Sequence, residues 1–293
     1  MRTVGEELKA RYGKKIYKIA LNGGCTCPNR DGTLDTCGCI FCSGAGSGEF
    51  AENAALSITE QIERGKQRVA AKMPDQGGGY IAYFQSFTNT YAPLERLRSM
   101  FLEAIEHPDV VLLSIATRPD CLPEEVLDLL EKLNRIKPVW IELGLQTVHE
   151  QTAEYIRRGY PLQVYDQAVQ NLQARGIYTI VHVILGLPGE ERADMLETVR
   201  YVRDSGVQGI KLQLLHVLQG TDLAQEYAAG QVPVMDMETY TDLVADCVAL
   251  IGDKLTIHRL TGDGSRRSLI APLWSTDKKR VLNTVRRKIK ERT

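Results

Sequence analysis

Five of the chain's seven cysteines fall within eighteen residues: Cys25, Cys27, Cys37, Cys39 and Cys42. A packed core has no need of such a concentration, so the segment reads as a metal-binding or redox loop. A structural zinc site wants four ligands in a closed tetrahedron, commonly supplied as two C-x(2)-C pairs. Here Cys39 and Cys42 alone have that spacing, and the other close pairs are C-x-C. Thiolates at irregular spacing suit an iron–sulfur cluster better, because they can wrap a cuboidal core. With three ligands one iron keeps an open position for a substrate or cofactor, whereas four make an electron carrier. Cys25 and Cys37 stand either as spare ligands or as an oxidation-sensitive pair. Cys121 and Cys247 are isolated in the sequence and read as small buried hydrophobes.

Other residues stand out by context. Glu142 closes an otherwise apolar run, where an ionisable group is costly unless paired. It is either an acceptor for ligand hydroxyls or an ammonium, or half of an internal salt bridge. His182 lies on a strand and reaches inward if alternation holds, as a ligand contact or as a satisfied core histidine. The same two readings apply to His216. Gly186 opens Gly-Leu-Pro-Gly, a turn that lets backbone approach a ligand closely. His258, Arg259, Asp263, Arg266 and Arg267 lie on and after a short strand, where arginine can clamp a phosphate or carboxylate of the substrate.

These residues need elements to position them. The chain is 43% hydrophobic and 25% charged over 293 residues, as a soluble globular protein is. The opening residues show no apolar signal core and no run is long enough to span a membrane. We therefore expect a cytoplasmic, reducing location, which favours metal over disulfides. Strands are expected at 17–21, 80–85, 110–116, 139–143, 178–185 and 209–215. Helices are expected between them, several opened by proline (Pro93, Pro123, Pro161) and closed by glycine (Gly176, Gly206). The alternation predicts a parallel sheet joined by right-handed crossovers. Six strands fit a partial barrel or an open doubly wound sheet, and either puts functional residues at the C-terminal strand ends. Beyond 217 the pattern changes to a helix at 237–251, a short strand at 255–259, a loop rich in Gly, Ser and Arg, and a basic terminal helix. Residues 278–293 carry eight basic side chains against Glu291, a net +7 in a chain of net −1. Lys279, Arg286, Arg287 and Lys290 there have helix-compatible spacing, as a solvated helix or as a face that tracks a nucleic-acid backbone.

Cys-Pro-Asn-Arg-Asp-Gly-Thr at 27–33, followed by Gly38-Cys39-Ile-Phe-Cys42, resembles the signature of the radical S-adenosylmethionine (SAM) superfamily. Its first gap is lengthened, giving C-x(11)-C-x(2)-C in place of C-x(3)-C-x(2)-C. That form is similar to the YhcC/YtqA-like family, related to Elp3 and to the coproporphyrinogen-oxidase-like enzymes. The resemblance continues through residues 83–91, 142–146, 182–190 and 258–263, with Trp274 beyond. It implies an α/β fold, a partial TIM-type (β/α)6 barrel over residues 1–216, with a C-terminal extension at 217–293 that contacts substrate or RNA. It implies a [4Fe–4S] cluster on Cys27, Cys39 and Cys42, and SAM cleaved reductively to a 5′-deoxyadenosyl radical. Gln85 stands where relatives carry Gly-Gly-Glu for the methionine amino group, and Arg158 matches arginines that meet the methionine carboxylate. His182 and Gly186 fall near adenine, and Gln146, another cofactor-site candidate, toward the substrate side. The implied reaction modifies a wobble-uridine side chain of transfer RNA, of the carboxymethylaminomethyl type, with electrons from a donor such as flavodoxin or ferredoxin. The alternatives are a radical enzyme acting on a small molecule or protein, and a non-enzymatic metal-binding, RNA-associated protein.

Overall fold

The computed structural model describes residues 1–292 apart from Ser47, Glu49, Asp75, Gln76, Asp263 and Ser265. In chain order the elements are α1 (Val4–Tyr12), β1 (Ile16–Leu21), α2 (Ile58–Val69), β2 (Gly79–Phe84), α3 (Leu94–Glu106), β3 (Val110–Thr117), α4 (Glu124–Asn134) and β4 (Val139–Gln146). There follow α5 (Glu150–Tyr155), α6 (Leu162–Ala174), β5 (Tyr178–Leu185), α7 (Arg192–Asp204), β6 (Gly209–Leu214), β7 (Val217–Leu218) and α8 (Asp222–Ala228). The last are α9 (Met237–Ile251), β8 (Thr256–Arg259), β9 (Leu269–Ala271) and α10 (Lys278–Arg292).

Local chemistry sets many of these bounds. Thr3 with Glu6, and Ser57 with Glu60, form capping boxes that satisfy the first amides of α1 and α2. Pro93, Pro123 and Pro161 cap α3, α4 and α6 as expected. On α2, a Cβ added to Gly65 would fall 2.3 Å from Ile19 Cγ2, so glycine there brings the helix close against β1.

The main sheet is parallel throughout, in the order β1-β2-β3-β4-β5-β6-β8. That order decides between the two architectures. Right-handed crossovers that always step the same way put every helix on one face, whereas a doubly wound sheet reverses direction part-way. The helix-covered face carries the large core, with Phe84, Leu97, Phe101, Ile141, Tyr165, Val199 and Tyr240 among its members. The opposite face curls round an interior, closed at the N-terminal end by Leu8 of α1 on Ile81, Leu112, Trp140 and Ile180.

Six strands were expected and the sheet has seven. β8, read from sequence as part of the extension, pairs in parallel with β6, and the α9 and α10 residues Leu243, Val244, Val285 and Ile289 join the main core. Residues 22–56, free of helix and strand among the described residues, leave the C-terminal end of β1 and carry the clustered cysteines.

Candidate active site

Cys27, Cys39 and Cys42 lie together, partly exposed, at the C-terminal end of the sheet. Asn29 Nδ2 donates to Cys39 Sγ at 3.6 Å, and the Cys42 amide donates to the Cys39 carbonyl at 3.0 Å. Arg30 Nη2 donates to the carbonyls of Cys42 and Ser43 at 2.7 and 3.0 Å, which fixes the turn around the third thiol. Burial pushes the Cys39 thiol up to about 12, neighbouring Cys42 and Cys27 push the same way, and Arg118 opposes them. Three cysteines gathered in such a place can share a cationic partner that takes up their charge once they lose their protons. The remaining two cysteines diverge. Cys25 turns into the helix-covered core beside Met100, where burial pushes it up to about 11, and Cys37 faces solvent.

Among the described residues, groups of three ligand atoms within 4.8 Å occur at Glu63, His107 and Asp109 and at His149, Asp194 and Glu197, not at the thiols. A zinc ion with Zn–S bonds of about 2.3 Å needs thiolates about 4 Å apart.

Around this loop several buried polar atoms have no partner: Asn29 Oδ1, Ser86 Oγ, Asn89 Oδ1, Gln146 Oε1, Arg157 Nε and His216 Nε2. Phe87, Gln146 and Arg157, none a glycine, hold positive φ of 56°, 72° and 56°. Unsatisfied polar atoms and left-handed backbone gathered at one end of a sheet mark a ligand site.

One layer deeper, Glu142 is fully buried. Its Oε1 accepts from Lys18 Nζ at 2.8 Å and Ser114 Oγ at 2.7 Å. Its Oε2 meets His182 Nε2 at 2.7 Å and also the Lys211 ammonium. The Tyr83 ring lies 4.2 Å from the Lys18 ammonium and 4.7 Å from that of Lys211. Burial works against the carboxylate, but Lys18, Lys211 and the His182 bond outweigh it and hold Glu142 well below the usual range. Burial and Lys211 push His182 down to about 4, so it is neutral at pH 7 and donates Nε2–H to Glu142.

Three of the candidates are engaged by protein groups in this geometry. Glu142 makes the internal salt bridge rather than a cofactor contact, since four protein donors occupy its oxygens. Arg158, 2% exposed, donates to Tyr160 O at 2.9 Å, Thr147 O at 2.7 Å and Glu150 Oε2 at 3.1 Å, and so braces the loop after β4. His258 belongs to the closed end of the interior, 5.2 Å from Trp140 and within 3.3 Å of the Tyr178 hydroxyl, away from any substrate at the mouth.

The other candidates divide. Gln85 follows β2, and Gln146 ends β4 with its carbonyl unpaired. Gly186, φ 91°, makes the turn after β5 and donates its N–H to Met195 Sδ. His216 follows β6, packed against Gly262 and Gly264, and burial pushes it down to about 4. Arg259 reaches Gln213 at 3.5 Å, while Arg266 bonds the Thr276 carbonyl and, with Arg267, lies on the outer surface. Asp263 lies outside the described residues.

Residues 24–202 match the family model of the radical SAM superfamily, and residues 207–291 match the radical SAM C-terminal domain. The chain belongs to the radical SAM superfamily. It is 45% identical over 290 residues to the uncharacterized protein YtqA of Bacillus subtilis, covering 99% of this chain and 89% of that one. More distantly, it is 24% identical over 164 residues to the tRNA uridine(34) acetyltransferase of Methanocaldococcus jannaschii, 55% of this chain and 30% of that protein. Among solved structures, the Elp3 of Methanocaldococcus infernus, lacking its N-terminus, superposes with a TM-score of 0.67 at 15% identity. That match covers 88% of this chain and 59% of the other, and is a likeness of fold. As a radical SAM enzyme the protein works with a [4Fe–4S] cluster and SAM, and the non-enzymatic alternative falls away. The three thiols and the unpaired polar atoms beside them fit that pair of groups.

Sequence reading missed Lys18, Ser114, Tyr83 and Lys211, the partners of Glu142, and also Asn29, Arg118 and Asp120 near the thiols. A signal existed for two of them. Lys18 and Lys211 interrupt apolar strands just as Glu142 does, so opposite charges buried on different strands of one sheet predict each other.

Proposed function

We propose that Cys27, Cys39 and Cys42 hold the [4Fe–4S] cluster and that this radical SAM enzyme modifies a wobble-uridine substituent of transfer RNA, of the carboxymethylaminomethyl type, in the cytoplasm. When bound, the cluster and SAM supply an electron and a 5′-deoxyadenosyl radical that takes a hydrogen atom from the substrate. The chain's own residues orient and shield. Gln85 and Gln146 offer side-chain carbonyls at the ends of β2 and β4 to the SAM ammonium and ribose. Gly186 brings backbone close to the adenine, and His216 presents an unpaired Nε2 to the substrate from the end of β6. Electrons come from a small carrier such as flavodoxin or ferredoxin.

One observation carries the RNA reading: an exposed, mainly basic face on α10, where Asn283, Arg286, Lys290 and Arg287, the last paired with Glu291 at 2.7 Å, line an open hollow of about 430 Å³. The similarity to a tRNA uridine(34) acetyltransferase supports the same base as target.

The test begins with anaerobic reconstitution of the full chain and of single Cys→Ser variants. Substitution of Cys27, Cys39 or Cys42 is expected to abolish cluster binding, while C25S and C37S keep full iron and sulfide. Reduced enzyme with SAM and transfer RNA should then form 5′-deoxyadenosine in step with loss of one modified uridine, read by nucleoside mass spectrometry. Release of 5′-deoxyadenosine with every nucleoside unchanged would turn the reading toward a small-molecule or protein substrate.

A further inference from the structure

Asn29 is 1% exposed and its Nδ2 serves three acceptors: Cys39 Sγ at 3.6 Å, Arg157 O at 2.6 Å and Arg158 O at 3.4 Å. Gly159 makes the room for this, with φ of 80° and with Asn29 Oδ1 only 2.7 Å, and Arg118 Nη2 3.3 Å, from where its Cβ would stand. Arg118 is 9% exposed at the end of β3. Asp120 grips its guanidinium side-on, Nε to Oδ1 at 2.9 Å and Nη2 to Oδ2 at 2.7 Å. The Tyr160 ring centroid lies 5.2 Å from the Arg118 guanidinium and 4.8 Å from that of Arg158. Cys27 and Cys39 lie within electrostatic range of the Arg118 charge, and burial first, then Asp120, pushes the Cys121 thiol up. Arg118 Nη2 and the Asn29 amide, the latter bonded to Cys39 Sγ, thus border the same small space at Gly159.

We propose that Asn29 and Arg118 set the reduction potential of the cluster held by Cys27, Cys39 and Cys42, by stabilising its reduced state through an N–H···S hydrogen bond and a buried cation. This rests on the ligand assignment above. Reduction adds one electron from the external donor, with no bond made or broken, and the added negative charge spreads onto the thiolate sulfurs. Hydrogen bonds to those sulfurs and nearby positive charge favour that state, and burial strengthens both because water screens them less. Both are positioning residues that need not touch substrate. Asp120 works against them, and that opposition gives the test its sign.

The measurement is a potentiometric titration of the reconstituted full-length protein without SAM, followed by electron paramagnetic resonance of the reduced cluster, with iron and sulfide assayed in every sample. Arg118→Gln leaves the Asp120 carboxylate uncompensated and is expected to lower the reduced-to-oxidised ratio at fixed potential about tenfold, a negative shift of about 59 mV for one electron. Asp120→Asn should shift the potential the opposite way, Asn29→Ala should move it negative, and Arg118→Lys should restore most of the wild-type value. Damage to the fold has no reason to give opposite signs. If Arg118→Gln fails to hold iron, the opposed shifts of Asp120→Asn and Asn29→Ala decide. Variants of Arg118 and Asp120 that keep their iron and shift alike, or not at all, overturn the proposal. Retention of iron by the Cys27, Cys39 or Cys42 variants overturns the ligand assignment instead.

Discussion

Glu142 occupies a place in the half-barrel where hydrocarbon would otherwise pack, and only its neighbours make that tolerable. Lys18, Lys211, His182 and Ser114 come from four different strands to satisfy one carboxylate. Taking an ion from water costs several kcal/mol, repaid only by close and complete pairing. Glu142→Gln keeps the shape but leaves two ammoniums without an anion, so we predict a loss of about 3–5 kcal/mol in urea unfolding. A loss under about 1 kcal/mol would mean that the lysines find water or another acceptor. The sequence showed that Glu142 was costly and named the salt bridge as one of two answers. It did not supply the partners, because they lie 28 to 124 residues away. The cysteines were legible because their loop is local: spacing alone separated C-x(2)-C from the rest. Cys121 is buried, as its isolation in the sequence suggested, but its nearness to Cys27 follows only from the turn after β3.

The terminal helix shows why a charge run must be divided before it is interpreted. On α10, Lys288 is buried and bonds Glu238 at 2.6 Å and Asp242 at 2.9 Å, and Arg292 pairs with Asp242 and Asp246. Those two basic residues hold α10 against α9, while Val281, Val285 and Ile289 supply its apolar stripe. Lys279, Asn283, Arg286 and Lys290, spaced by four, three and four residues, share an exposed face. Arg286→Glu with Lys290→Glu should leave stability within about 0.5 kcal/mol. The same pair should weaken transfer-RNA binding and lower the slope of log affinity against log salt by about 1 for each phosphate no longer neutralised. Unchanged binding and slope would remove α10 from the RNA surface. Lys288→Ala should do the reverse, lowering the unfolding midpoint with the salt slope intact. Helical periodicity was enough to find α10, but which cations face solvent depended on where α9 lies.

At the scale of the molecule, the segment after residue 216 completes the sheet. β8 pairs with the edge of β6, Leu255 and Ile257 enter the main core, and α9 covers the same face as α7. A fragment ending at residue 216 is therefore expected to lack cooperative unfolding and near-ultraviolet circular dichroism that the full chain has. A fragment that unfolds cooperatively would show that the six-stranded part suffices. By itself the sequence determined the clustered thiols, the radical SAM resemblance, the parallel α/β pattern and the first six strands within a few residues, because each follows from local spacing and periodicity. Only the tertiary structure decided that the sheet winds in one direction, that β8 is its seventh strand, that Arg158 and His258 bond protein groups, and that Asn29 and Arg118 both border Gly159. The physical reason is that burial decides them: which faces pack together and which buried charges find partners, mostly between residues far apart in the chain and, for Arg158, within one loop.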